Sequence, residues 1–289
     1  MTRKSILIRA AEKVLDENEI KYMVKSFDLI GDIAVIKLPV ELLGKRFEIA
    51  NALLEEAPFI KVVLRKVTSI WGKYRLMGLE WLAGEKRFET IYREHGCIFK
   101  VNLKEVFFSP RLSGERIRIA RLVEDGEVIV NMFAGIGTFS IIIARNAKPR
   151  KIFSIDINPK AIELMKENIK MNKVEGIVIP ILGDAAKMIE NQLRNIADRV
   201  LMPLPELSLK YLKYALMALK ENGGWIHPYE FIRVSKNENP IEKAIKKYSE
   251  KLGEYDVEYR VVGGRLVGEV APRKYRVVLD IKVSKTKNL

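Results

Sequence analysis

The chain has 289 residues, 48% of them hydrophobic and 30% charged, which is typical of a globular protein and long enough for two domains. The formal net charge of +14 favours a polyanionic partner such as nucleic acid, although a thermophile-type surface rich in Lys, Arg and Glu would account for part of it. The single cysteine, Cys97, excludes an internal disulfide, and one cysteine with two histidines argues against a zinc site. The sequence has no apolar run of about 18 residues and no signal segment, which predicts a cytoplasmic protein.

The first 99 residues predict a small α+β module with its own core. The predicted elements are a strand, a helix, a second strand and a hairpin, at Ile30–Leu38, Val40–Glu56, Ile60–Val67, and Phe88–Tyr92 with Cys97–Leu103. The module also contains a basic loop with aromatic side chains, Trp71–Arg75, whose arginine and rings can stack on bases and hydrogen-bond to them. An ordinary surface loop explains the same residues equally well.

A basic segment, Val106–Arg121, joins this module to the rest of the chain. We predict a helix that begins near Ser113, which places Glu115 in the first turn, where the helix dipole favours a carboxylate. That effect alone would explain Glu115. The arginines of the segment form either a solvated helix face or a clamp for phosphates or for a ligand carboxylate; they are Arg111, Arg116, Arg118 and Arg121.

The second half of the chain predicts an open, mostly parallel sheet. A short apolar strand ends at Asn131, a loop with Gly135 and Gly137 follows, and a buried helix continues from Phe139. Strand, glycine loop and helix together build a nucleotide pocket at the carboxyl end of a parallel strand. Further predicted strands end in polar or proline-rich turns; they are Lys151–Asp156, Ile177–Leu182 before Gly183-Asp184, and Arg199–Met202 before Pro203-Leu204-Pro205.

Two carboxylates, Asp156 and Asp184, share this predicted edge with the glycine loop. Asp156 lies 21 positions past Gly135, close to the spacing at which an acid meets ribose hydroxyls. Either acid alone would be explained as a helix cap or a turn residue, but both in register with the loop favour a nucleoside site. The loop lacks the third glycine of a dinucleotide fingerprint, which favours S-adenosylmethionine, a cofactor without phosphate, over a dinucleotide.

The remaining elements complete a methyltransferase-type sheet with one reversed strand. They are a helix at Leu207–Leu219, a strand at Trp225–Phe231, a helix at Pro240–Leu252, and a closing hairpin at Tyr255–Val262 and Tyr275–Val283. We therefore predict an α/β fold: a class I, Rossmann-like S-adenosylmethionine methyltransferase domain over residues 100–289, preceded by a small α+β RNA-binding domain over residues 1–99.

Four short motifs add a more specific resemblance. They are Phe-Ser-Pro-Arg-Leu-Ser-Gly-Glu-Arg at 108–116, Asn-Met-Phe-Ala-Gly-Ile-Gly at 131–137, Asp-Ile-Asn-Pro at 156–159 and Ala-Pro-Arg at 271–273. Over residues 28–283 the chain resembles the archaeal and eukaryotic tRNA (guanine-N1)-methyltransferases, which act at tRNA position 37, beside the anticodon. Many members carry a further small N-terminal domain, for which this chain has no room, so it resembles a short form.

The resemblance implies roles for particular residues. Glu115 matches the family's general base, and Arg75 matches the arginine that contacts guanine O6. Matched contacts to the cofactor, whose product is S-adenosyl-L-homocysteine, are Arg116, Phe133, Gly135, Gly137, Asp156, Ile157, Asp184, Ala185 and Pro203; matched tRNA contacts are Arg75, Arg111, Pro205 and Arg273. The resemblance implies no metal, and it suggests a monomer. Two positions depart from the family, because Asn131 stands where Asp is common and Pro203 where Asn is common in an Asn-Leu-Pro turn.

The implied chemistry is coherent with these residue types. Guanine N1 carries a proton, so a carboxylate within hydrogen-bond reach can remove it as N1 attacks the methyl group, while an arginine stabilises the charge on O6. The base must leave the anticodon stack to reach such a pocket. This account requires Glu115 to lie at the carboxyl edge of the sheet; a Glu115 remote from that edge, or sealed in core packing, would contradict it.

Three other activities stay open. An aminocarboxypropyl transferase of wybutosine biosynthesis resembles the same family and binds the same cofactor. A non-enzymatic RNA-binding protein with a degenerate cofactor fold would fit the departures at Asn131 and Pro203. A nicotinamide dehydrogenase is disfavoured by the missing third glycine.

Overall fold

The computed structural model describes residues 4–286. The chain divides into two compact units: the first runs to Glu94 and includes Ile98–Pro110, and the second comprises His95–Cys97 and continues from Arg111. The predicted domain boundary after residue 99 falls inside the strand Cys97–Asn102, which pairs with Glu89–Glu94. Among residues 4–286, every helix is too short or too polar to span a bilayer.

The first unit is built on a small mixed sheet. The elements up to Asn102 are α1 (Ile6–Ala11), β1 (Asp28–Ile30), β2 (Ile33–Ile36), α2 (Arg46–Glu56), β3 (Val62–Trp71), β4 (Leu76–Gly84), β5 (Glu89–Glu94) and β6 (Cys97–Asn102). The sheet has the order β1-β2-β3-β4, in which β2 and β3 are parallel and the other neighbours antiparallel, and β5 pairs with β6. Helix α2 packs on this sheet and buries Ile49 and Leu53, and α1 packs against α2 and buries Leu7.

Two predicted elements of this unit are wrong in detail. Ile30–Leu38 is not one strand, because Gly31 turns the chain between β1 and β2 with a φ angle of +58°. A Cβ at Gly31 would lie 2.3 Å from Thr90 Oγ1, so the turn packs closely against β5. The predicted helix Val40–Glu56 is divided into a 3₁₀ turn, Val40–Lys45, and α2. The strand β4 was not predicted.

The second unit contains a seven-stranded sheet, as counted over the described part of the chain, with a helix between successive strands except the last two, which form a hairpin. Its elements are α3 (Ser113–Leu122), β7 (Val128–Asn131), α4 (Thr138–Asn146), β8 (Lys151–Asp156), α5 (Pro159–Asn172), β9 (Val178–Leu182), α6 (Ala185–Gln192), β10 (Arg199–Met202), α7 (Leu212–Ala218), β11 (Gly224–Arg233), α8 (Pro240–Leu252), β12 (Val257–Ala271) and β13 (Lys274–Thr286). The strand order is β12-β13-β11-β10-β7-β8-β9. Only β13 runs against the others in this sheet, so the predicted class I α/β fold is confirmed.

The parallel strands end at a common edge. Asn131, the last residue of β7, pairs with Ser154 of β8 and Leu201 of β10. Every residue of β7 and β10 is buried, as expected for central parallel strands covered by helices on both faces. The turns that follow β7, β8, β9 and β10 therefore meet at the carboxyl edge of the sheet, where open α/β sheets bind ligands.

Candidate active site at the carboxyl edge

The loop after β7 contains the two predicted glycines. Gly135 and Gly137 have φ angles of +56° and +86°, in the left-handed region that side chains disfavour. A Cβ at Gly137 would lie 2.8 Å from Met165 Cγ on α5, so the loop packs against α5 only with glycine at this position. At Gly135, no described atom lies within 4 Å of an added Cβ, which leaves that side of the loop open to a ligand.

Asp156 ties this loop to the end of β8. Its Oδ2 accepts a hydrogen bond from Gly135 N–H at 2.7 Å, and its Oδ1 accepts one from Asn158 N–H at 2.9 Å. Burial raises the pKa of Asp156, and the backbone hydrogen bonds oppose that shift. The carboxylate therefore shapes the glycine loop from the position at which a ribose contact is predicted, and half-buried Ile157 follows it directly.

Asp184 lies at the corresponding end of β9 and is the N-cap of α6. Its Oδ1 accepts hydrogen bonds from the backbone N–H groups of Ala186 and Lys187, and its Oδ2 accepts one from Tyr211 Oη at 2.7 Å. The Tyr211 ring lies edge-on to Phe133, with 5.3 Å between centroids. Burial, followed by the hydrogen bond to Asp184, raises the pKa of Tyr211 to about 12. Ala185, the first residue of α6, is buried.

A buried acceptor without a partner lies beside these acids. Asn131 is fully buried, and its Nδ2 donates to Ser140 Oγ at 3.1 Å, whereas its Oδ1 has no hydrogen-bond partner in the described structure. A buried acceptor of this kind destabilises the protein unless a ligand or a water molecule donates a hydrogen bond to it.

The turn after β10 contains the predicted positions Pro203 and Pro205. Pro203 is half-buried and Pro205 is buried, so this turn presents no side-chain hydrogen-bonding group at those two positions.

These residues fit S-adenosylmethionine. The nucleoside and amino-acid parts of the cofactor carry hydroxyl and amino donors, which match the carboxylates of Asp156 and Asp184 and the unsatisfied Oδ1 of Asn131. The open side of Gly135 leaves space for close approach of a ligand to the backbone. Two acids at this edge are better suited to a cofactor without phosphate than to a pyrophosphate.

Glu115 lies in the first turn of α3, as predicted, and is 3% exposed. Its Oε1 accepts a hydrogen bond from Tyr229 Oη at 2.8 Å, and Arg118 donates to both carboxylate oxygens. Pro228, one residue before Tyr229, pairs with Met202 at the end of β10, so Tyr229 brings Glu115 to the carboxyl edge. The carboxylate is therefore at the edge, as a catalytic role requires. It is also buried, among polar donors rather than apolar core packing, and its role as a base stays a prediction.

Arg118 connects Glu115 to a second carboxylate. Its guanidinium donates to Asp280 on β13, with 2.6 Å between Nη1 and Oδ2, and Asp280 Oδ1 lies 2.7 Å from Nδ1 of His227. Burial opposes the ionisation of Arg118 and of Asp280. Even so, the hydrogen bonds of Arg118 to Glu115 and Asp280 raise the pKa of Arg118. The hydrogen bonds of Asp280 to His227 and Arg118 likewise hold the pKa of Asp280 below its usual range. Arg118 and Asp280 thus form a partly buried ion pair.

The same chain of polar contacts continues to the amino edge of the sheet. Arg199 at the start of β10 lies 2.7 Å from Nε2 of His227 and donates to Glu127 at 2.7 and 2.8 Å. A further hydrogen bond of 2.6 Å runs from Arg199 to the carbonyl of Leu122, the last residue of α3. Helix α3 is therefore anchored at both ends, by Glu115 at the carboxyl edge and by Leu122 at the amino edge, and this fixes where Glu115 lies.

His227 is neutral in this arrangement, and this has a consequence for stability. Burial lowers the pKa of His227 to about 4, with the hydrogen bond to Asp280 opposing and the charge of Arg199 reinforcing the shift. The neutral ring donates from Nδ1 to Asp280 and accepts at Nε2 from Arg199.

We expect the free energy of unfolding to fall as the pH is lowered from about 6.5 to about 4, because the unfolded state then binds a proton that folded His227 does not. The loss is of order ~3 kcal/mol for a shift of this size. Urea denaturation across this pH range tests it: His227→Asn should flatten the pH dependence, whereas the control His95→Asn should keep it. An equal slope in wild type and His227→Asn would contradict the assignment.

In the first unit, the predicted O6-contacting residue Arg75 lies in the turn between β3 and β4. It has a φ angle of +57°, and its guanidinium lies 4.9 Å from the Phe107 ring. Trp71 and Tyr74 in the same turn are 63% and 41% exposed. This turn therefore offers exposed aromatic surface next to an arginine, as base stacking requires.

The other predicted tRNA and cofactor arginines belong to the second unit. Arg111, before α3, and Arg273, in the turn between β12 and β13, are exposed. Arg273 has a φ angle of +57°, and its N–H donates to Glu269. Arg116 is 2% exposed on α3, so only a ligand that reaches the buried side of that helix could contact it.

Comparison with known protein families shows which family this chain belongs to. A family profile described as "TRM5/TYW2 methyltransferase domain" matches residues 90–260, and one described as "TYW2 N-terminal domain" matches residues 7–87. The chain belongs to the TRM5/TYW2 methyltransferase family. The predicted family is thereby confirmed.

Relatives in this family carry different activities in their names. A tRNA (guanine(37)-N(1))-methyltransferase Trm5b of Pyrococcus abyssi is 39% identical over 264 residues, covering 91% of this chain and 76% of the relative. A tRNA 4-demethylwyosine(37)-methyltransferase Taw21 of Saccharolobus solfataricus is 41% identical, covering 90% and 94%. A tRNA(Phe) (4-demethylwyosine(37)-C(7)) aminocarboxypropyltransferase of Methanocaldococcus jannaschii is 35% identical, covering 89% and 97%.

Solved structures of the TRM5/TYW2 family show the same fold. The crystal structure of Trm5b from Pyrococcus abyssi matches with a TM-score of 0.85 and 38% identity, covering 98% of this chain and 82% of that one. A complex of aTrm5 with tRNALeu matches with a TM-score of 0.82 and 37% identity, covering 98% and 79%. Methanocaldococcus jannaschii TYW2 in complex with AdoMet matches with a TM-score of 0.66 and 28% identity, covering 90% and 100%. The family and this ligand support the predicted cofactor.

Several residues around the TRM5/TYW2 site were not predicted. The partners of Glu115 and Asp184, namely Tyr229, Asp280 and Tyr211, lie far from them in the chain, and no motif marks them. One signal was available: Asp280 is a carboxylate inside the otherwise apolar run Val277–Ile281 of a buried strand. A carboxylate in such a position needs a charged or hydrogen-bonding partner, and this would have pointed to a buried network.

Proposed function

We propose that this TRM5/TYW2 family protein uses S-adenosylmethionine to methylate N1 of guanosine 37 in tRNA. The observation that carries the proposal is the position of the Glu115 carboxylate, which Tyr229 on β11 holds at the same edge of the sheet as the turns that bear Asp156 and Asp184. Relatives named tRNA (guanine(37)-N(1))-methyltransferase that are 39% identical support it.

In the proposed reaction, Glu115 takes the proton of guanine N1, and Arg75 stabilises the negative charge that moves to O6. The bound cofactor supplies a methyl group on a sulfonium, which needs alignment but no further activation. Asp156 and Asp184 hold the nucleoside part of the cofactor, and Asn131 Oδ1 accepts one of its donors. The family's other matched positions line the same site: Arg116, Phe133, Gly135, Gly137, Ile157, Ala185 and Pro203.

The proposed partner is the anticodon loop of tRNA, bound by a monomer in the cytoplasm. The net charge of +14 gives the attraction for a phosphate backbone. The exposed turn with Trp71, Tyr74 and Arg75 offers stacking to the unpaired bases of a loop, while Arg111 and Arg273 are exposed for phosphate contacts and Pro205 shapes the base pocket. We assign residues 1–99 to tRNA binding and residues 100–289 to methyl transfer.

The test uses two tRNA transcripts that differ only at position 37. With guanosine there, we expect mass spectrometry of the digested tRNA to show one added methyl group on that nucleoside, and with adenosine there we expect no product. An aminocarboxypropyl adduct would contradict the proposal and support the transferase alternative. No product together with no cofactor binding in equilibrium dialysis would support a non-enzymatic RNA-binding protein.

A second substrate is favoured by the similarity to the Taw21 relative and by the lack of a side-chain amide at Pro203. The Taw21 relative is 41% identical to this chain, and the Trm5b relative is 39% identical. A tRNA that contains 4-demethylwyosine at position 37 is therefore the second arm of the assay. If only the 4-demethylwyosine tRNA is methylated, 4-demethylwyosine and not guanosine is the substrate.

We expect Asp156→Ala to weaken cofactor binding by about tenfold to a hundredfold, because a charged acceptor for donor groups is lost. Isothermal titration with S-adenosylmethionine in the absence of tRNA measures it. Asp125→Ala, which removes an exposed acid, is the control and should bind like wild type. Because Asp156 also holds Gly135, Asp156→Asn, which keeps an acceptor, separates loop distortion from lost charge. An unchanged affinity in both Asp156 variants would contradict the assigned contact.

A further inference from the structure

The two oxygens of the Glu115 carboxylate have different surroundings. Oε1 accepts hydrogen bonds from Tyr229 Oη at 2.8 Å and from Arg118 Nη2 at 2.8 Å, with Arg118 Nε at 3.1 Å. Oε2 accepts one hydrogen bond, from Arg118 Nε at 2.9 Å. A carboxylate oxygen has two lone pairs, so Oε1 is saturated while Oε2 retains capacity for another proton.

The capacity at Oε2 lies on the side of an exposed residue. The closest further cation is Arg265 on β12, whose Nε is 4.0 Å from Oε2, and its side chain is 53% exposed. Tyr229, on the opposite oxygen, is 1% exposed and packs edge-on against Phe139 of α4. Oε1 is therefore held by buried Tyr229, whereas Oε2 faces the half-exposed Arg265.

The charge on Arg118 is shared between two carboxylates. Its guanidinium donates to Glu115 and to Asp280, and Asp280 is held in turn by neutral His227. Arg118 is thus divided between two carboxylates, and the second cation that faces Glu115 is the half-exposed Arg265, 4.0 Å from Oε2. Glu115 therefore does not have Arg118 to itself, because Asp280 is held by the same guanidinium.

We propose that Tyr229 and the Arg118–Asp280 pair are positioning residues that hold Glu115 Oε1 and leave Oε2 as the proton-accepting atom. This rests on the proposed function. In the step considered, the N1–H bond of the purine breaks, its electron pair stays with N1, and an O–H bond forms at Oε2; the proton later passes to solvent. Tyr229 keeps its own proton throughout, because burial and the nearby Glu115 charge raise its pKa well above the usual range.

Tyr229→Phe is the direct test, because it deletes one hydroxyl and keeps the ring. We expect kcat for methyl transfer to fall by about tenfold to a hundredfold, the range for one hydrogen bond to a charged group, with unchanged Kd for cofactor and tRNA. The acid limb of the kcat/KM pH profile should move to higher pH, because the ionised carboxylate loses a donor. The groups facing Glu115 are Arg118 on α3, Tyr229 on β11 and Arg265 on β12, with Asp280 on β13 behind Arg118.

Tyr248→Phe is the matched control. Tyr248 on α8 is also fully buried, and its hydroxyl also lies at hydrogen-bond distance from a glutamate, with 3.5 Å to Glu230. The control should change neither kcat nor the pH profile. Equal effects of the two substitutions, or a Tyr229→Phe enzyme with wild-type kcat and pH profile, would overturn the positioning role.

Asp280→Asn supplies a second measurement that does not depend on Tyr229. It should move the acid limb in the opposite direction, to lower pH, because Arg118 then serves Glu115 alone. A limb that stays at its wild-type position would overturn the charge-sharing part of the proposal. A wild-type protein that transfers no methyl group to tRNA would instead refute the proposed function, which separates the two failures.

Discussion

Replacing Glu115 with Gln should lower methyl-transfer turnover by about 10²- to 10⁴-fold, the usual contribution of a general base, with tRNA affinity near the wild-type value. The amide keeps the shape and one acceptor oxygen, so Tyr229 and Arg118 retain a partner, but it cannot take the N1 proton. Single-turnover assays with saturating cofactor and tRNA measure the effect on the chemical step itself.

The control for this variant is Glu242→Gln, which changes an exposed glutamate in the first turn of α8. It should have the turnover of wild type. Thermal unfolding of both variants shows whether the buried amide beside Arg118 disturbs the fold. Near wild-type turnover of a folded Glu115→Gln protein would rule out Glu115 as the base, and the proton would then need another acceptor.

Replacing Arg199 with Met should destabilise the second unit by about 3–5 kcal/mol, because the substitution leaves a buried carboxylate without its counter-charge. Arg199 is 1% exposed, Glu127 is 8% exposed, and the substitution also removes a donor to the Leu122 carbonyl and to His227. Urea denaturation followed by circular dichroism gives the change in the free energy of unfolding.

The double variant Arg199→Met with Glu127→Met distinguishes the buried charge from general packing. Removing both partners of a buried pair is often close to neutral, so the double variant should recover most of the stability lost in the single variant. The exposed pair of Lys148 and Asp125 provides the comparison, and Lys148→Met should leave the denaturation midpoint unchanged. A double variant as unstable as the single one would show that Glu127 is not the source of the cost.

The elements that were predicted correctly are those with local signals. Helix α8 has an N-cap at Asn239, proline in its first turn and an apolar stripe, and its observed bounds equal the predicted ones. Asp156 ends β8, and Asp184 follows β9 by two residues. Both strands are short, bounded apolar runs, so the place of the two acids at one edge follows from the parallel direction of the strands. The predicted helix Leu207–Leu219 begins instead at Leu212, and the predicted strand Ile30–Leu38 is two strands. The turns at these places are set by tertiary packing, so the local sequence indicates them only weakly.

The amino-acid order alone determined the fold class, the glycine loop, the acids at the sheet edge and the place of Glu115 in the first turn of a helix, because these depend on residue types at short spacing. Only the tertiary structure decided what Glu115 contacts. Tyr229 and Asp280 are brought to α3 by strands β11 and β13, more than a hundred residues further along the chain. Long-range pairing of this kind is set by the burial of whole strands, and no short motif encodes it.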